Sequence, residues 1–268
     1  MFLRAGSAIK GQGACHMNFD AVQLLPDGLS LPIALALIAV SFITSMITAM
    51  FSLGGGIAML ATLGLVFPPA VVIPVHGLVQ LGSNGGRAII QRAHIQWHLM
   101  AWFGAGSVLG IVLGGSLAVS IPEALFQGVI GLFILYCVWV PQPRVTGRGP
   151  IANFAAGTII GGVGMFVGAV GPLVANFLRK LDDRRQLIAT QASLMTLNNI
   201  AKVATFTFFG FAFAQYLPVV LAMILTGFAG TILGSRILDR VSEVTFRRGF
   251  KIILTLMALE MLRQAVWG

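Results

Sequence analysis

Phe51-Ser-Leu-Gly-Gly-Gly-Ile57 and Phe166-Val-Gly-Ala-Val-Gly-Pro172 are the two stretches on which the reading of this chain turns. Each follows a long apolar run and is followed by a shorter one, about 55 to 67 and 171 to 178. A helix needs about 20 residues to cross roughly 30 Å of hydrocarbon, so neither short run crosses alone. Glycine frees the backbone and proline removes a donor, so Gly54, Gly55 and Gly56, and in the mate Gly168, Gly171 and Pro172, predict breaks inside otherwise apolar helices.

Outward from these breaks, apolar spans are predicted at about 31 to 53, 69 to 91, 97 to 119 and 122 to 140, then 151 to 168, 187 to 210, 215 to 235 and 246 to 266. The 268 residues are 57% hydrophobic and 9% charged, against about 25% charged in soluble domains. Mean hydropathy is +0.93. The chain therefore reads as an all-α polytopic membrane protein with no room for a separate soluble module. The net charge of +9 does not point to nucleic acid, because the basic residues sit between apolar spans as topology and lipid-headgroup signals. Cys15 and Cys137 form no CxxC and no Cys/His cluster, so no disulfide framework, metal site or cofactor is expected. Residues 1–29 are expected to be a tail without the apolar core of a signal peptide, with Met1 or Met17 as the start.

Sliding the chain on itself reveals a repeat. At a separation of 115, Met50-Phe51 falls on Met165-Phe166, Gly56 on Gly171, Leu63 on Leu178, Asn84 on Asn199 and Arg87 on Lys202. At 120, Gly110, Leu113, Gly114, Glu123 and Phe126 fall on Gly230, Leu233, Gly234, Glu243 and Phe246. Basic residues cluster near Arg92, at Arg144 and Arg148, from Arg179 to Arg185 and from Arg236 to Lys251, whereas connections near 67–75, 118–123 and 211–217 carry no Lys or Arg. The positive-inside rule makes the first group cytoplasmic. A broken or re-entrant helical hairpin plus three transmembrane helices is an odd number of crossings, so the second copy is expected upside down. The predicted organisation is a tail (1–29), a first membrane repeat (30–140), a cytoplasmic linker (141–150) and a second membrane repeat (151–268).

Inverted repeats with discontinuous helices bring half-helix ends together near the bilayer midplane, and a helix N-terminus offers free N–H groups and positive charge to an anion. The glycines at both breaks are candidate lining, with tight helix packing as the plainer alternative. Arg87 and Lys202 lie within apolar spans, where a charge costs at least roughly 2.5 to 3.5 kcal/mol. They are expected to face substrate or to snorkel, the latter fitting Arg87 better because Arg92 is near. Asn84, Asn198 and Asn199 precede these cations by one turn and either bind substrate oxygens or tie helices together. His76, Gln80, Gln191 and Ser193 extend the same faces, His76 reading as a capped or interfacial histidine more readily than as a proton relay. The Gly106, Gly110 and Gly114 ridge and its mate Gly230 and Gly234 read as packing. Glu260 is a coupling acid or an interfacial one. Asp182-Asp183, among Arg179 to Arg185, reads as a solvated loop.

The two glycine stretches, together with Gly106-Ser-Val-Leu-Gly110, resemble the TauE/SafE family of sulfite-exporter-like membrane proteins over about residues 30 to 266. Its triple glycine is replaced in the second hairpin by Ala169-Val170-Gly171. The resemblance implies a secondary transporter of sulfite, an organosulfonate or a related small organic or sulfur-containing anion. The expectation is alternating access at a midplane site in the inner membrane, with a proton or Na+ as candidate coupling ion. A passive anion channel is the alternative, and an intramembrane enzyme stands behind it, since no HExxH, GxSxG or CxxC is present.

Overall fold

The structure, a computed structural model, describes residues 25–26, 28–51, 54–118, 122–141, 149–237 and 243–267. Most of the expected tail, most of the linker and the Ser120-Ile121 connection lie outside them. The described chain is helical, with no strand.

An uncharged apolar run forms α1 (Leu31–Phe51), and the chain resumes at Gly54, whose φ of 98° is open to glycine and strained for other residues. The next helix, α2 (Gly55–Val66), has 12 residues, about 18 Å at 1.5 Å per residue and short of the hydrocarbon thickness. It ends at Phe67, extended ahead of Pro68 as steric crowding by a following proline requires. Pro69 then opens α3 (Pro69–Ile90), at a position where its missing N–H costs nothing. A 3-10 turn (Arg92–His94), α4 (Trp97–Ala118) and α5 (Glu123–Trp139) follow.

The second half runs through the same sequence of elements. Helix α6 (Pro150–Val167) ends on Gly168 at φ 75°, and α7 (Gly171–Leu178) has eight residues. Asp183 accepts from the Arg185 backbone N–H at 2.8 Å and starts α8 (Arg184–Phe208). The loop acid is thus also a helix cap. A 3-10 turn (Phe213–Tyr216), α9 (Leu217–Ile237) and α10 (Glu243–Trp267) complete it.

The heaviest packing is α4 on α6, α1 on α9, α5 on α10 and α3 on α8. Exchanging α1 with α6, α3 with α8, α4 with α9 and α5 with α10 returns the same four pairs. Two of the seams are built from absent side chains. A Cβ on Gly106 or Gly110 would run into the Phe154 or Thr158 carbonyl of α6, and one on Gly230 or Gly234 into the Phe42 or Met46 carbonyl of α1. These glycines let helix backbones touch, which is how helices adhere where lipid is as apolar as leucine.

The apolar helices lie outside. Helices α1, α4 and α6, and α9 with its preceding turn, are each long and apolar enough to span a membrane, and side chains such as Ile151 and Phe208 are 86% and 85% exposed. Exposed apolar surface on this scale is untenable in water and ordinary against lipid tails. Many of the buried polar side chains sit on α3 and α8, among them His76, Asn84, Asn198, Asn199 and Lys202.

Candidate functional site

Two interrupted helices point at α3 and α8. Neither the start of α2 nor that of α7 has a side-chain cap, so their first-turn N–H groups keep the partial positive charge of a helix N-terminus. Between them lies a cavity of about 40 Å³, lined by Thr48, Gly54, Gly56, Ile57, His76, Gln80, Asn84 and Arg87 from the first half and Ala169, Gly171, Pro172, Gln191 and Met195 from the second.

This lining is paired. At a separation of 115, Gly54 meets Ala169, Gly56 meets Gly171, Ile57 meets Pro172, His76 meets Gln191 and Gln80 meets Met195, and both members of every pair line the cavity. Thr48, Asn84 and Arg87 are the lining residues whose mates do not. A common hydrogen bond repeats across the halves. His76 Nε2 lies 2.9 Å from the Gly56 carbonyl, and Gln191 Nε2 donates to the Gly171 carbonyl at 3.3 Å. Each ties a long helix to the first residues of a half-helix.

Charge in the cavity is one-sided. Among the described residues Arg87 is its sole ionised lining residue, and no carboxylate lines it. The Arg87 guanidinium donates to Asn84 Oδ1 at 2.8 Å and to the Ser83 carbonyl at 3.4 Å, while Asn84 Nδ2 donates to the Gln80 carbonyl at 3.0 Å. These bonds fix the arginine in place and leave several of its five N–H donors open.

The residues singled out from sequence divide into two groups. Gly54, Gly56, Asn84, Arg87, Gly171 and Pro172 line the cavity. Gly55 instead packs on α1, where a Cβ would meet the Thr44 carbonyl, and Gly168 packs on Leu60 and Ile73. Lys202 is fully buried and donates to the Gly168 carbonyl at 2.5 Å, so it caps the C-terminal end of α6 behind the cavity. Asn198 bridges α8 to α4, accepting from Ser107 Oγ at 3.0 Å. Asn199 is fully buried and neither of its amide atoms has a partner. Glu260 pairs with Arg263 at 2.7 Å on an exposed face of α10. His76, which lines the cavity and is 1% exposed, is capped by a carbonyl. The signal that would have raised His76, Gln80 and Gln191 was the 115-residue separation itself, which joins them to the glycine pair.

A comparison with known families matches residues 37–261 to Sulfite exporter TauE/SafE. The chain belongs to the TauE/SafE sulfite exporter family. TauE/SafE is a family of membrane transporters, in keeping with the apolar exterior and the four described helices long and apolar enough to cross a membrane. Comparison with curated proteins and with solved structures finds no match. The match covers both helix breaks, all of the described cavity lining and both glycine seams.

Proposed function

We propose that this TauE/SafE protein is a secondary transporter of a small anion, with sulfite, an organosulfonate or a related sulfur-containing or organic anion as cargo. It works by alternating access between two inverted repeats, residues 30–140 and 151–268, in the inner membrane. The observation that carries this reading is the cavity. It lies between two half-helix N-termini, its lining pairs across the repeat, and Arg87 is its one ionised side chain among the described residues. A cavity with a fixed cation, free N–H groups and no acid favours a negative solute, and its small volume favours a compact one.

Further support comes from a difference between the halves. Arg87 is partly exposed at the cavity and Asn84 beside it is hydrogen-bonded, whereas Lys202 is sealed against a backbone carbonyl and Asn199 has no partner. Mates that differ in exposure are what one end of an alternating cycle requires, with the first half open and the second closed.

The test is sulfite flux in proteoliposomes. Hydrogen bonds to a charged group contribute roughly 1.5 to 3 kcal/mol, so Arg87→Gln is expected to weaken sulfite binding about ten- to hundredfold and to cut flux while the protein still purifies folded. Wild-type flux in Arg87→Gln would overturn the site. Flux that never saturates, or single-channel currents, would replace a carrier by a channel.

A further inference from the structure

His76 and Gln191 do the same structural work in the two halves, each holding the carbonyl of a glycine 20 residues earlier. A carbonyl oxygen only accepts, so Nε2 carries a hydrogen, and in the neutral ring the lone pair is then on Nδ1. Glutamine performs the tie in the second half with a single N–H. What histidine adds in the first half is therefore the other ring nitrogen. That nitrogen is buried and has no partner, and the ring lines the cavity. An unsatisfied buried acceptor carries a desolvation cost, and a partner reaching it from the cavity that the ring lines would relieve that cost.

Resting on the anion-site reading above, we infer that the cavity takes its anion together with one proton, held between an anion oxygen and His76 Nδ1. Nothing covalent is made or broken within the anion's framework. The proton is either the ligand's own acidic O–H, donated to Nδ1, or one taken up from the buffered solvent, whose conjugate base stays in solution, and then donated from Nδ1 to an anion oxygen. The charges around His76 are positive, so a proton is expected there only in company with the anion. Arg87 shares the cavity from α3 and Lys202 stands behind it on α8. Helix α2 has no titratable side chain. The other titratable groups described around α3, Arg92, Tyr136, Cys137, Arg185, Tyr216 and Arg236, do not line the cavity. Beside these cations a proton on His76 alone adds positive charge to a low-dielectric site, and an anion oxygen held against Nδ1 offsets it.

Methanesulfonate separates the possibilities, because it stays a monoanion with no proton of its own to give. Its binding to the purified full-length protein is to be followed calorimetrically in buffers of different ionisation heat, which counts protons taken up. Wild type is expected to take up about one proton per anion, and His76→Gln, which keeps the tie as Gln191 does, to bind methanesulfonate with none. Binding to wild type without uptake overturns the inference and leaves the anion site standing. Uptake that survives in His76→Gln places the proton elsewhere, Lys202 first, and also overturns it. Failure of wild type to bind methanesulfonate or sulfite overturns both readings. If His76→Gln does not fold, ring 15N spectra of a variant with His16, His94 and His98 replaced by Gln decide. Nδ1 moves to the protonated range on adding methanesulfonate, and an unmoved resonance refutes the assignment.

Discussion

Gly55 and Gly56 are neighbours with opposite duties. A Cβ on Gly55 would meet the Thr44 carbonyl, an atom of the backbone, whereas one on Gly56 would meet the amide nitrogen of Gln80 at 2.8 Å, the far end of a flexible side chain. Overpacking a rigid contact costs about 1 to 3 kcal/mol, so Gly55→Ala is expected to lower the melting temperature of the detergent-solubilised protein. Gly56→Ala relieves a helical glycine of roughly 0.5 to 1 kcal/mol, so its stability is expected to hold. Its methyl group occupies part of a cavity of about 40 Å³, and sulfite flux is expected to fall about tenfold or more, the size of the same overpacking term applied to the bound state. A Gly56→Ala protein with full flux would mean that substrate does not pass this point. The sequence placed all three glycines at a break, because glycine runs in apolar helices mark one. It could not divide lining from packing, since that depends on which neighbour each missing side chain admits.

Among the helices, the glycine seams carry the fold. Gly110 lies against the Thr158 carbonyl and Gly230 against the Phe42 carbonyl, so Gly110→Val and Gly230→Val are each expected to destabilise by about 1 to 3 kcal/mol, read as earlier thermal aggregation in detergent. Leu113→Val, on the same helix as Gly110 but 58% exposed, is the control and is expected to change little. Equal losses in all three would show that the seams are not special. Helix boundaries were legible in advance because charge, glycine and proline punctuate an apolar chain. The spans at 97 to 119 and 122 to 140 became Trp97–Ala118 and Glu123–Trp139, and α8 began earlier than expected because Asp183 caps it. Partners were not legible. A helix with lipid on one side and protein on the other is apolar all round, so no polar stripe marks which face α1 turns to α9 or α4 to α6.

For the molecule as a whole, the repeat makes the two halves alike in sequence, and the structure shows them in different circumstances. Asn84 is tied to Arg87 and Gln80 at the cavity, while its mate Asn199 is sealed with both amide atoms unpaired. Under the proposed alternating access, which half is open could not be read from the chain, because near-equal halves have near-equal energies and two states a few kcal/mol apart interchange readily. If the halves trade roles, Lys202 releases the Gly168 carbonyl in the other state and Asn199 meets what Asn84 meets now. In a protein with Cys15 and Cys137 replaced by serine, Asn84→Cys is then expected to react with a membrane-impermeant thiol reagent from one side of oriented vesicles, and Asn199→Cys from the other. A sulfite gradient that drives turnover should speed labelling of the Asn199→Cys protein, because only the opened second half exposes that position. Labelling of both variants from the same side, or an Asn199→Cys thiol that stays inert under turnover, would mean that the open half never closes and would remove alternating access from the account.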